Sequence, residues 1–452
     1  MNHNATQWAR DTVFYHLFPL GSTGAPERND FAGAPSDRLR ALHEWLPYLQ
    51  ELGVNALLLG PVLESSAHGY DTADLFTVDR RLGSNADFTA FVAACHGRGL
   101  RVVLDAVFHH VGRDFWAFRD VQARGAASPY RNWFFLDFAG RSPAGDAFSF
   151  EGWDGHFDLV KLDTANPEVR EHLFSAARLW FSEFGVDGLR LDAADVLEPG
   201  FQRELAAACR SVEPDCWLVG EVVHGDYRDW AGPDKLDATT NYELYKGLYS
   251  SHNDRNYFEV AHTLKRQFGA AGIYRDCAPY TFVDNHDVPR VASILHDPAH
   301  LYPLHILLFT VPGAPSLYYG SEWGVPGQKA PGSDAPLRPP MTPAHLERAG
   351  QHPELYGVVQ RLIKLWDGQP ALRYGDFQEC LVASEQFVFT RTWKGETVLV
   401  AVNASGEPVT VDVPGQGGNW VDVLNPGETL VGEGGLELPL PPNWGRVLRR
   451  QS

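Results

Sequence analysis

NPEVREHLFSAARLWFSEFGVDGLRLDAAD, residues 166–195, reads as a helix that hands the chain directly to a strand. Asn166 suits a helix cap, and Pro167 suits the first turn, where a missing N–H costs nothing. Val169, Leu173, Ala177, Trp180 and Phe184 recur at helical spacing and line one apolar face. Gly185 stops the helix. Val186, Leu189 and Leu191 then give a short apolar run that suits a buried strand. Arg190 and Asp192 sit at its end. A buried, isolated charge is costly, so this pair has to be matched, wet or functional.

The same alternation extends in both directions. Leu39, Leu42, Leu46 and Leu49 line a helix that stops at Gly53, and VNALLLG follows as a strand. DFTAFVAACHGRG and LRVVLDAVF (87–108) repeat the unit, as do PGFQRELAAACRSVEP and DCWLVGEV (199–222). CAPYTFVDNHD (277–287) and VPGAPSLYYG (311–320) read as strands separated by the helical LYPLHILLFT. Alternating helices and apolar strands form a parallel sheet. The number of units by residue 372 approaches eight, which favours a closed (β/α)8 TIM barrel over an open doubly wound sheet. No GxGxxG turn follows any strand, which weakens a nucleotide-binding alternative.

Two segments break the rhythm. Residues 112–159 are rich in aromatics, Gly and Asp, and read as a short lid inserted after strand three, folded over the barrel mouth. From residue 373 the pattern changes to period two (QFVFTRTW, ETVLVAVN, PVTVDVP), the signature of an antiparallel β-sandwich. The expected organisation is a barrel over residues 1–111 and 160–372, a lid over 112–159 and a C-terminal β domain over 373–452.

A formal net charge of −19 argues against nucleic acid and anionic lipid as partners, while a neutral ligand is indifferent to it. The stretch MNHNATQWARD lacks an apolar export signal, and no run is long enough to span a membrane. The five cysteines are scattered without CxxC or zinc spacing, so the expectation is a reduced cytoplasmic protein with no disulfide, no metal and no cofactor. Aromatics at 12%, including 13 Trp, are generous; core packing accounts for most of them, and flat rings that stack on sugars are the alternative use.

Several strands end in polar residues: Asp105, His109 and His110 after strand three, Arg190 and Asp192 on strand four, Glu221 after strand five, and Asn285, His286 and Asp287 after strand seven. A lone Asp at a strand end is usually a turn or cap. In a barrel, all C-terminal strand ends share one face, where active sites lie. Asp105, His110, Arg190, Asp192, Glu221, His286 and Asp287 should therefore converge. No GxSxG elbow and no Cys with a base is present, which removes two acyl-transfer arrangements. Paired carboxylates suit glycoside chemistry, with one ionised and one protonated. Arg190 precedes Asp192 by two residues and points to the same side, so it should lower the Asp192 pKa and leave a nucleophile. Glu221, raised by nearby negative charge and partial desolvation, would be the general acid/base. Asp287 would be a third carboxylate near the ring. Two close carboxyls, about 5 Å apart, imply retention.

DAVFHH, GLRLDAAD, GEVV and FVDNHD, in this order, resemble the α-amylase family of retaining glycoside hydrolases, as do FYHLFP, HGYDTADLFTVDRRLGS and PSLYYGSEWG. The resemblance covers about residues 11 to 370 and implies an amylase- or cyclomaltodextrinase-like enzyme. It implies Asp192 as nucleophile, Glu221 as acid/base and Asp287 as transition-state stabiliser. It further implies that His110, Arg190 and His286 contact the sugar on the non-reducing side of the cut, that Asp105 supports them, and that Tyr70 is a stacking platform. Trp153 and Trp323 are further candidate sugar contacts. His109 stands where many relatives carry an Asn that ligates calcium; imidazole is a poor ligand for that cation, so this calcium is expected to be absent. Asp195 and Val196 replace the Lys-His pair of typical α-amylases on the leaving-group side, which turns expectation from long starch chains to soluble maltodextrins or cyclic oligosaccharides. The expected activity is hydrolysis of α-1,4-glucosidic bonds; transglycosylation, α-1,6 cleavage and a non-catalytic binding subunit are the alternatives.

Overall fold

The computed structural model describes residues 7–451. The first six residues of the stretch read above for an export signal lie outside that range. Eight short strands run parallel: β1 Phe14–Leu17, β2 Ala56–Leu59, β3 Arg101–Ala106, β4 Gly188–Leu191, β5 Trp217–Gly220, β6 Ala238–Thr239, β7 Tyr280–Phe282 and β8 Ala314–Tyr318. Neighbours pair in sequence from β1 to β6, β1 also pairs with β8, and β8 with β7. A parallel bridge between Thr240 and Tyr280 closes the ring. The expected (β/α)8 barrel is the observed one.

Strand alternation sorts the side chains. Leu57, Leu59, Val102, Leu104, Leu189 and Leu191 face outward and join the helices in one large core. Phe14, Leu58, Val103, Trp217, Val219 and Phe282 form a separate cluster that fills the barrel interior. Successive residues of a strand point to opposite faces. Arg190, between two outward leucines, therefore points into the barrel.

The helix before β4 begins as its sequence indicates. The Asn166 side chain accepts from the Glu168 N–H at 2.9 Å, and Pro167 occupies the first turn. Helix Pro167–Leu179 continues through Trp180–Phe184, where the last turn widens into a π form. Gly185 ends it with φ 74°, a conformation glycine adopts without Cβ strain. Trp180 is fully buried; its ring stacks on Phe108 at 5.5 Å and its N–H donates to the Leu75 carbonyl at 2.9 Å. Removing such a ring costs about 3–5 kcal/mol. This contact fastens the segment leaving β3 to the helix that feeds β4.

Beyond β3, His110–Gly112 pairs antiparallel with His156–Lys161, which folds back on Gly152–Trp153. Helix Trp116–Arg124 and the hairpin Leu136–Asp137 with Ser149–Phe150 complete this lid. From Asp376 onward six antiparallel strands make one sheet, and Val409–Pro414 with Gly435–Leu440 make a second. Val388, Leu399, Trp420, Leu438 and Leu448 are packed as one cluster of this β-sandwich, while Phe387, Phe389, Val400 and Val402 join the outer core of the barrel. No helix of the described residues is long and apolar enough to cross a membrane. All five cysteines are free thiols.

Candidate active site

Pairing register sets Arg190 on β4 beside Asp105 on β3. Arg190 Nη1 donates to the two Asp105 oxygens at 2.7 and 2.9 Å and to Asp192 Oδ1 at 3.0 Å. Arg190 Nη2 lies 2.9 Å from Glu221 Oε1. One buried guanidinium thus holds carboxylates from the ends of three consecutive strands. Each is a charge-assisted bond, the kind that offsets burial. Glu221 has two further donors. Tyr242 gives its hydroxyl to Oε1 at 3.1 Å, and the Ala193 N–H reaches Oε2 at 3.1 Å. Ala193 has φ 46°, a left-handed conformation that costs a non-glycine residue about 1–2 kcal/mol. The backbone is bent there so that the N–H following Asp192 meets Glu221.

Asp287 closes the opposite side. His286 Nε2 lies 2.8 Å from Asp287 Oδ2, and Arg338 Nη2 donates to Oδ1 at 2.8 Å. Arg338 Nε also donates to the His286 carbonyl at 3.1 Å. Tyr70 donates its hydroxyl to Asp105 Oδ2 at 2.9 Å and shares a short hydrogen bond with His286 Nε2. The Tyr70 and His286 rings are parallel, 5.5 Å apart at 6°. Phe18 stacks on both rings, 5.6 Å from His286 and 6.5 Å from Tyr70, with the Arg338 guanidinium 4.5 Å above the Phe18 ring. Tyr70 joins the two clusters, touching Asp105 in one and His286 in the other.

Protonation divides these groups. The Asp192 carboxyl is held well above the usual carboxylate range: burial raises it, Arg190 opposes that, and the charges of Glu221, Asp105 and Asp287 raise it further. Arg190 does lower it, but the expectation of a net low Asp192 pKa is corrected. That expectation gave the cation to Asp192 alone, whereas the guanidinium is shared with Asp105 and Glu221. Asp287 is held well below its usual range; burial pushes it up, but the charge and hydrogen bond of His286 and the cations Arg338 and Arg190 outweigh burial. Burial, His109 and His68 pull His110 down to about 3, so its ring is neutral. His110 Nε2, His286 Nδ1 and His16 Nε2 are buried without a hydrogen-bond partner among the described residues. An uncharged polyol could satisfy such nitrogens.

Asp105, Arg190, Asp192, Glu221, His286, Asp287 and Tyr70 therefore meet in one network. His110 sits at its edge with Trp153 of the lid, the two rings stacked at 6.0 Å. Trp323 is not drawn in: its N–H donates to the Tyr48 hydroxyl at 2.9 Å and its ring stacks on Tyr356 at 4.8 Å. It is spent on helix packing, which corrects its assignment as a sugar contact. Tyr242, Arg338, Phe18, Ala193 and His16 were not singled out from sequence. His16 carried a legible signal, since it ends β1 on the same rim and its ring lies 4.9 Å from that of His286. Arg338 lies in PLRPPM, a loop with no periodicity to mark it.

A family model described as "Alpha amylase, catalytic domain" matches residues 29–354, and one described as "Maltogenic Amylase, C-terminal domain" matches residues 379–443. The chain is 33% identical to a cyclomaltodextrinase of Geobacillus thermopakistaniensis strain MAS1, over 98% of this chain and 77% of the relative. A debranching enzyme from Nostoc punctiforme superimposes with a TM-score of 0.82 at 30% identity, over 99% of this chain and 100% of that one. Cyclic alpha-maltosyl-(1→6)-maltose hydrolase from Arthrobacter globiformis, in complex with cyclic alpha-maltosyl-(1→6)-maltose, gives 0.82 at 28% identity, over 98% and 99% of the two chains.

Proposed function

The chain belongs to the α-amylase family of glycoside hydrolases, and from that premise we propose that it cleaves α-1,4-glucosidic bonds of malto-oligosaccharides or cyclodextrins with retention, through a glucosyl–Asp192 ester. Asp192 attacks the anomeric carbon while Glu221 gives its proton to the departing glycosidic oxygen. Glu221 then takes a proton from the water that opens the ester on the same face. Asp287, kept anionic by His286 and Arg338, faces the positive charge that grows on the ring.

The observation that carries this reading is the shared guanidinium: Nη1 on Asp192 and Nη2 on Glu221. Two carboxyls held by the two arms of one planar group are drawn toward each other by a single cation. That suits direct attack, where inversion would need room for a water between them. The reaction needs its proton on Glu221 and its charge on Asp192. Burial and neighbouring carboxylates oppose a charge on Asp192 in the site without sugar. Positive charge developing at the anomeric carbon, directly before Asp192, reverses that preference.

The names of the two structural relatives favour a second reading, in which α-1,6 bonds at branch points or in rings are cut by the same residues. A sugar hydroxyl in place of water would give transfer. The five free thiols fit a cytoplasmic setting, and a soluble glucan is the substrate expected there. One experiment tests all of this: maltotriose, a cyclodextrin, panose and isomaltose are offered to the enzyme and to E221Q, with products resolved by chromatography and their first-formed anomer read by NMR. The α anomer from maltotriose or cyclodextrin is expected, with turnover falling about 10²–10⁴-fold in a normally folded E221Q. A β product, or full activity in E221Q, overturns the proposal. Preference for isomaltose or panose selects the second reading, and longer oligomers at high maltotriose indicate transfer.

A further inference from the structure

A second cavity lies at the other end of the barrel from the carboxylates. Arg10, Arg275, Arg373 and Arg391 line it, and Asp376 is the one carboxylate among its described lining residues. Arg10, Cys277 and Gly313 precede β1, β7 and β8, so its floor is the amino-terminal rim of the barrel. Asp376 and Arg391 come from the first two strands of the C-terminal sheet. The cavity therefore lies at the junction of the two β structures. Its volume is about 50 Å³, on a measure by which one water needs about 10–15 Å³. That is space for roughly four waters, comparable to a five-atom oxyanion.

Charge in this cavity is out of balance. Arg391 is 1% exposed. Its Nε donates to the Gly375 carbonyl at 3.1 Å and its Nη1 to the Thr310 carbonyl at 2.8 Å. Nη2 has no partner, and no carboxylate pairs with this guanidinium among the described residues. Among the described residues, Arg10 bonds only the Asp276 carbonyl, at 3.2 Å. Arg275 pairs with Asp376 at 2.7 Å, and Arg373 with Asp11 at 2.9 Å and, more loosely, with the exposed Asp367 at 3.9 Å. Arg373 Nε is buried without a hydrogen-bond partner among the described residues. Among the described residues, Arg10 and Arg391 are thus without a carboxylate partner, in a chain whose net charge is −19. A buried guanidinium without an anion is strongly unfavourable, and its free N–H groups are donors in search of an acceptor. Burial pulls Arg391 down to about 9 and Asp376 only partly restores it, so it still carries its charge at neutral pH.

We propose that this junction binds a tetrahedral oxyanion: inorganic phosphate, or the phosphate head of a small phosphate ester. Phosphate at neutral pH carries about 1.5 to 2 negative charges, close to the two that Arg10 and Arg391 lack. Planar guanidinium forks match its oxygens in pairs. The bound ion ties the floor of the barrel to the C-terminal sheet, so occupancy stabilises the whole chain.

The test is the melting temperature of the full chain at fixed ionic strength as sodium phosphate replaces sodium chloride, with calorimetric titration of phosphate. Melting temperature should climb with the logarithm of phosphate concentration. R10A, at a partly exposed site, should weaken phosphate binding about tenfold or more, the loss of one charge-assisted bond. R391M removes the buried charge but keeps its bulk; it should melt no lower than the parent without phosphate and show no phosphate response. Glucose 6-phosphate forms a second arm. An equal shift means the site accepts esters, and a shift from inorganic phosphate alone means it encloses the whole ion. Identical curves in phosphate and chloride, or a full phosphate response in both variants, overturn the proposal.

Discussion

Arg190 and Asp105 face each other across β4 and β3, with Nη1 2.7 Å from Oδ1 and the Asp105 side chain fully buried. Strand register alone brings them together; the same Nη1 then also reaches Asp192, while Nη2 reaches Glu221. Removing the cation leaves three carboxylates facing one another in a dry site. R190M should therefore cost about 3–5 kcal/mol of stability, in the manner of a broken buried ion pair, and abolish most turnover. D105N keeps hydrogen-bonding atoms and should cost less. Thermal melts of both variants check the order; an R190M protein as stable as its parent would show that the network is not what holds the rim together.

Asp192 and Asp287 should respond to amide substitution in opposite directions. The folded pKa of Asp192 is raised, so its stabilising contribution is present below the unfolded value, about 3.9, and is lost as pH rises through the folded value. At pH 7 its charge is a liability, and D192N should raise the melting temperature while abolishing activity. The folded pKa of Asp287 is depressed, so its contribution is present above about 3.9 and is lost as pH falls through the folded value. D287N should lower the melting temperature at pH 7. Shifts of the same sign in the two variants would contradict the charge distribution described for the site.

Much of this arrangement was legible because two periodicities coincide. The apolar face from Val169 to Phe184 marks a helix, and Leu189 and Leu191 mark a strand whose other face must hold Arg190. From that parity the convergence of Asp105, Arg190 and Asp192 follows. β6 escaped, since it is two residues in LDATT with no apolar run to betray it. Arg338 escaped because a loop residue fifty-one positions from Asp287 meets it only through tertiary folding. The Asp192 pKa was misjudged for a related reason: sequence shows that a cation is near, and cannot show how many carboxylates share it. Trp323 was misplaced because composition counts a Trp without saying which ring, here Tyr356, already covers it.

Removal of divalent metal should leave the rim unmoved. His109, at the position where calcium is expected in many relatives, packs edge-on against Trp153 at 4.8 Å and against His110 at 5.6 Å. Burial and the Lys161 charge pull it down to about 4, so it is a neutral imidazole among rings, a setting a hard oxygen-seeking cation does not favour. Incubation with EDTA should change neither melting temperature nor turnover. A drop in melting temperature that calcium restores would place an ion at the lid.

Arg338 offers the sharpest distinction between packing and charge. Its guanidinium lies over Phe18 and also bonds Asp287, so R338M keeps apolar bulk on the ring and deletes only the cation and its hydrogen bonds. Losing a bond to a charged group costs about 1.5–3 kcal/mol, or roughly 10- to 150-fold in kcat/KM if Asp287 acts on the transition state. The sign of the pH effect follows from the same contact. Arg338 is one of the groups that depress the Asp287 pKa, so without it that pKa rises. Activity that needs an anionic Asp287 should then fail at a higher pH on the acid side than in the parent. R338K, which retains the charge, should leave the acid limb near its original place. Profiles of kcat/KM against pH for the three proteins decide the matter: an unmoved limb in R338M, with only a lower melting temperature, would make Arg338 a packing residue and leave Asp287 to His286 and Arg190.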